Sequence, residues 1–144
     1  MPTSRKPARL VVDANPILSA LLGGNARRVF FESAVEEFAV PERVLAEVRT
    51  YIPTLALKAG LPAAALELLL TLLPLSPYTE GSYRRSIPEA ARLIARRDPD
   101  DVPPLALALY LDTPLWTNDR DFTRTGVTLF TTAQLLALLF ARHS

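Results

Sequence analysis

Residues 9–13, Arg9-Leu-Val-Val-Asp13, decide the fold: three consecutive apolar residues read as a short strand buried on both faces, ending on an acid. Working outward, Asn15 and Pro16 open a helix to residue 22 that Gly23 and Gly24 stop, and Asn25 caps a second helix over 26–34. Phe38-Ala-Val40 reads as a second short strand, and Pro41 begins a helix to about residue 52. Segments 55–60 and 63–73 form a helical hairpin punctuated by Gly60 and Pro62, followed by a third strand over 75–78. Ser86-Ile-Pro-Glu89 is a capping box that opens a helix to residue 97. Residues 105–111 make another helix, Pro114-Leu-Trp-Thr117 and 128–130 two more strands, and Thr131-Thr-Ala-Gln134 opens the last helix. Short apolar strands alternating with helices predict a parallel sheet covered on both faces, with ligands beyond the carboxyl ends of its strands.

Composition narrows the chemistry. With 144 residues, 49% apolar and 22% charged, the chain can build one hydrophobic core and is neither disordered nor collagen-like. A single domain over 1–144 is expected, with 1–8 flexible. The absence of cysteine excludes a disulfide framework, a thiolate zinc site and a cysteine nucleophile. One histidine, His143, leaves no multi-histidine metal cluster and argues against a Ser-His-Asp triad. The formal net charge of +1 gives no global basic field. Arginines outnumber lysines 14 to 2, which suits phosphate recognition, although a GC-rich genome gives the same bias. Asp13 breaks the first apolar run too early for a signal peptide, and Lys58, Pro62, Glu67 and Pro74 interrupt the most apolar region, so no membrane span is expected. A soluble, cytoplasmic protein is expected.

Two of the expected strands run into acids at their carboxyl ends, Asp13 and Asp119, so parallel pairing would bring both to one crevice. Asp98, Asp100 and Asp101 precede a helix at the same rim. With Asp101 as helix cap, the second and third helical residues would be Pro103 and Pro104, which have no N–H to donate. Asp100 is the better cap, with Val102 as donor, which leaves Asp101 for another role. Glu47 shares a helix face with Val44 and Tyr51; alone it reads as a glutamate at the edge of an amphipathic stripe, pairing with Arg43. Between residues 98 and 121 six acids face one arginine, while residues 84–97 carry five arginines and one acid. Crowded carboxylates without cysteine or histidine partners point to Mg²⁺ or Mn²⁺ rather than zinc. The arginine-rich segment, where Arg92 and Arg96 share a face, suits a polyanion as readily as it makes a solvated surface.

These pieces together resemble the PIN-domain family, metal-dependent nucleases that include the toxin halves of many bacterial toxin–antitoxin pairs. The resemblance spans residues 10–136. It rests on Leu-Val-Val-Asp13-Ala-Asn15, on Pro41-Glu-Arg-Val-Leu-Ala-Glu47-Val, on Arg97-Asp98-Pro-Asp-Asp101-Val-Pro-Pro, and on Leu115-Trp-Thr117-Asn-Asp119-Arg-Asp121-Phe. It implies a three-layer α/β/α sandwich with a central parallel sheet of four to five strands. It places Asp13, Glu47, Asp101 and Asp119 on the family's acidic quartet, as catalytic residues and metal ligands. Asn15 and Thr117 match supporting polar positions, and Asp98 and Asp121 lie near equivalent ones. Pro103 and Pro104 fall where many relatives carry other residues.

The resemblance implies a Mg²⁺- or Mn²⁺-dependent endoribonuclease, the toxin of a toxin–antitoxin pair; with a metal-activated water as nucleophile, 5′-phosphate and 3′-hydroxyl ends are expected. RNA is the expected substrate, with Arg92, Arg96 and Arg120 as candidate contacts and an antitoxin or a second copy of the chain as partner. A catalytically silent interaction module with the same fold is the alternative, and retention of all four acids argues against it. A receiver-type phosphotransfer domain would need a lysine at a later strand end, where neither Lys6 nor Lys58 lies.

Overall fold

A computed structural model describes residues 6–94 and 98–141, apart from the Asp121 side chain. β1 (Arg9–Val12) has no exposed side chain after Arg9, because Leu10, Val11 and Val12 are all fully buried. It lies between β2 (Glu37–Pro41) and β4 (Leu115–Trp116), and β3 (Leu75–Tyr78) and β5 (Leu129–Phe130) complete the sheet. The order is β3-β2-β1-β4-β5 and every pairing is parallel. The chain first builds outward from β1 on one side, then crosses back to β4 on the other. Strand order therefore reverses between β1 and β4, which opens a crevice beyond their carboxyl ends.

Alternate residues of β1 feed two separate cores. Leu10 and Val12 join Phe38, Val40, Trp116 and Phe130 under α1 (Ala14–Leu21), α2 (Ala26–Glu32), α3 (Glu42–Ala59), α4 (Ala63–Leu72) and α8 (Thr132–Leu139). On the opposite face Val11 joins Ala39 and Leu115 under α5 (Glu80–Tyr83), α6 (Ile87–Ile94) and α7 (Val102–Leu111). The result is the expected three-layer α/β/α sandwich, with five strands. Trp116 is fully buried against Phe30, with ring centroids 4.8 Å apart.

Several element boundaries differ from the sequence reading: the helix expected over 105–111 already begins at Val102, the short helix α5 was not expected, and two further differences bear on how the helices run. The helix expected to end near residue 52 continues through Pro53 to Ala59, so 55–60 is the end of α3 and not the first arm of a separate hairpin. Pro53 lacks the N–H that would reach the Arg49 carbonyl, but it lies on the exposed side of α3, where water can satisfy that carbonyl. Burial of Ile52, Leu55 and Ala56 holds the helix together across it. The stop comes at Gly60, whose φ of 67° lets the Leu61 N–H turn back to the Ala56 carbonyl at 3.0 Å. The second difference is at Ser86, which belongs to a 3-10 turn following α5, so α6 is entered from helical backbone and not through an isolated capping box. The Thr131–Gln134 box does form, with both reciprocal bonds. Tyr110 on α7 is exposed, and His143 lies outside the described residues.

Candidate active site

Asp13 immediately follows β1. Its N–H donates to the Trp116 carbonyl at 3.0 Å, which carries the β1–β4 pairing up to the acid itself. One carboxylate oxygen accepts the Ala14 N–H at 2.8 Å and so anchors the start of α1. The other accepts the Thr117 hydroxyl, also at 2.8 Å. Thr117 is buried, and its oxygen in turn accepts the Asp119 N–H at 3.0 Å. One threonine therefore fixes the acid of β1 and folds the acid-bearing loop after β4 back towards it.

Asn118, which the sequence reading passed over, locks the base of that loop. Its side chain accepts the Thr132 N–H at 3.0 Å and donates to the Thr132 hydroxyl at 3.3 Å; the Trp116 indole N–H reaches the same hydroxyl at 3.0 Å. The available signal was its position between two residues already singled out, at a strand end that must turn sharply.

The rim facing this pair comes from α3 and from the link between α6 and α7. Asp98, not Asp100, caps the 3-10 turn Pro99–Asp101, accepting the Asp100 N–H at 2.9 Å. The helical path starts earlier than expected, at Pro99, so the first N–H on offer is that of Asp100 and the carboxylate two residues upstream reaches it. Asp101 enters α7 in helical conformation and makes no cap bond, and it is only 8% exposed. The expectation that its side chain is not spent on capping holds.

Glu47 on α3 and Asn15 on α1 are exposed at the mouth of a cleft of about 790 Å³ between the two helices. Glu47 also borders a cleft of about 220 Å³ with Arg43, Thr50 and Asp100, while Asn15 borders one of about 620 Å³ with Gly23, Gly24 and Asn118.

Electrostatics tie these segments together. Burial raises the Asp13 carboxyl above its ordinary 3.8; the bonds from Thr117 and Ala14 hold it down, and the charges of Asp119 and Asp98 push it further up. Partial desolvation raises Glu47 above 4.5, reinforced by Asp100, Asp13 and Asp98 and opposed only by Arg43. Five acids from four segments of chain thus repel one another across one crevice. Among the described residues no three acids lie close enough to hold a single ion as the side chains stand. The donors are all carboxylate, amide and hydroxyl oxygens, a set that suits a hard divalent cation, whose charge would relieve the repulsion.

The candidate nucleic-acid contacts are more scattered. Arg92 is exposed on α6 and paired with Glu89 at 3.7 Å. Arg120 is exposed in the 3-10 turn Arg120–Phe122. Arg96 and the side chain of Asp121 lie outside the described residues.

The family model for the PIN domain matches residues 11–139. No curated protein matches the chain. Among solved structures it is similar to a chain of the crystal structure of VapBC2 from Rickettsia felis bound to a DNA fragment from their promoter. The TM-score is 0.61 at 15% identity, covering 85% of this chain and 98% of that one, so the likeness is one of fold. Among the described residues no helix is long and apolar enough to cross a membrane.

Proposed function

The chain belongs to the PIN-domain family, and on that premise we propose that it is a Mg²⁺- or Mn²⁺-dependent endoribonuclease, the toxin member of a toxin–antitoxin pair. The observation that carries this reading is the crevice at the β1–β4 reversal, where Asp13 feels the charges of Asp119 and Asp98 while Glu47 feels those of Asp13, Asp98 and Asp100. Asp13, Glu47, Asp101 and Asp119 would hold the cation, with Asn15 and Asp98 beside them. When bound, such an ion activates water and neutralises charge on a phosphodiester.

The protein's own part is positioning. Thr117 holds the Asp13 carboxylate and, through the Asp119 N–H, sets the approach of the second acid. Asn118 and Thr132 fix the loop that carries it. Arg43, at the edge of the same crevice, supplies positive charge to a phosphate arriving among acids. Hydrolysis by water would leave 5′-phosphate and 3′-hydroxyl ends. Exposed Leu57, Leu68 and Leu72 on α3 and α4 suit a protein partner, a second copy or an antitoxin, and the likeness to a VapBC2 chain supports the latter.

The test is cleavage of RNA with Mg²⁺ and with EDTA. Cleavage that needs the metal and disappears in Asp13→Asn supports the reading. A chain that binds RNA but never cuts it is the silent interaction module instead.

A further inference from the structure

We propose that the cleft between α1 and α3 is a nucleobase subsite, in which Tyr51 stacks on a base of the substrate strand while Lys58 meets a phosphate of that strand. This rests on the ribonuclease reading above and adds a residue-level account of how the substrate is gripped.

The argument starts from the spacing on α3. Glu47, Tyr51, Thr54 and Lys58 follow one another at intervals of four, three and four, so they form one stripe along the helix. Across the cleft stands Asn15 of α1, and the enclosed volume of about 790 Å³ is ample for a base. Glu47 marks the acid end of the stripe. Tyr51 lies one turn away, about 6 Å along the axis, within reach of a nucleotide next to one cleaved at the acids.

Tyr51 is suited to the task. It is 37% exposed and borders the cleft together with apolar Val48 and Leu55. The Lys58 ammonium donates to its hydroxyl at 3.3 Å and stands 5.7 Å from its ring centroid. Among the described residues Lys58 makes no ion pair, so its charge remains available to a ligand. A flat apolar ring, a cation beside it and acids one turn away match the parts of a nucleotide next to the scissile phosphate. Stacking on an aromatic ring tolerates any base, while the Asn15 amide and Thr54 hydroxyl are placed to read base edges. The cations Lys58 and Arg43 along the stripe favour a polyanion over a peptide as the occupant.

The experiment compares a mixed-sequence single-stranded RNA with an abasic strand of the same length. Both are titrated by fluorescence anisotropy against full-length Asp101→Asn protein, with and without Tyr51→Ala or Tyr51→Phe. The expected result is tighter binding of the base-bearing strand, a preference that Tyr51→Ala reduces roughly fivefold or more and Tyr51→Phe preserves. Circular dichroism melts check that the variants remain folded. If Tyr51→Ala weakens both strands equally, or neither, the subsite is refuted while the ribonuclease reading stands; the latter result would give the cleft to a protein segment. If the Tyr51-containing protein binds neither strand, both readings fall.

Discussion

The Thr117 hydroxyl donates to Asp13 at 2.8 Å and accepts the Asp119 N–H at 3.0 Å, joining two acids that lie 106 positions apart in sequence. This double role predicts the effect of removing it. Thr117→Val keeps the shape but leaves a buried carboxylate oxygen and a backbone N–H without their partner, at a cost of about 1–3 kcal/mol. Turnover should fall at least tenfold with little change in RNA affinity, and Thr117→Ser should restore most of it. A loss in Thr117→Ser as large as in Thr117→Val would contradict this account, because serine keeps the hydroxyl that makes both bonds.

Raised carboxyl groups give a pH prediction with a definite sign. The folded protein binds a proton at Asp13 more tightly than the unfolded chain does, so between the ordinary value of 3.8 and the raised one the folded state carries more protons. Stability from this group is present below 3.8 and is lost as pH rises through the raised value. In EDTA, the wild type should therefore lose stability relative to Asp13→Asn as pH climbs from acid to neutral, and added Mn²⁺ should reverse the loss. Denaturation curves of the two proteins that stay parallel across this range would contradict it.

Much of this was legible in the sequence. Leu10, Val11 and Val12, with no alternation, required cover on both faces, and the two acids after β1 and β4 needed only parallel pairing to meet. What escaped was decided by tertiary contacts. The run of α3 through Pro53 depends on which side of the helix faces water. The choice of Asp98 over Asp100 as cap depends on where the 3-10 turn begins, and the role of Asn118 depends on Thr132, fourteen residues away. The quartet itself came from resemblance; burial of Asp101 and exposure of Glu47 could not be read from their neighbours.

The arginines and the acids should separate in kinetics. Neutralising Arg92 and Arg96 should weaken binding of every RNA alike and flatten the salt dependence by roughly one unit of slope per lost phosphate contact, leaving cleavage at saturation nearly unchanged. Asp101→Asn should do the opposite, abolishing cleavage while binding persists. An unaltered salt slope would make these arginines an ordinary solvated surface, as the Arg92–Glu89 pair already allows, and would turn attention to Arg120 and to Arg124 four residues beyond it.

Leu57 is 84% exposed and Leu68 62%, an apolar surface that a monomer leaves in water. Light scattering at micromolar concentration should find a dimer, and Leu57→Glu with Leu68→Glu should return it to a monomer without loss of fold. A wild type that is monomeric throughout removes the second copy as partner and leaves the face to an antitoxin.

The most direct test of the account is calorimetric titration of Mn²⁺ into the wild type and into Asp13→Asn, Asp119→Asn. The account predicts saturable binding by the wild type and its loss in the double variant, because the crevice would have lost the acids at both strand ends while Thr117 and the surrounding fold remained. Equal binding by the two proteins would place the metal elsewhere and contradict the claim that these carboxylates form one site.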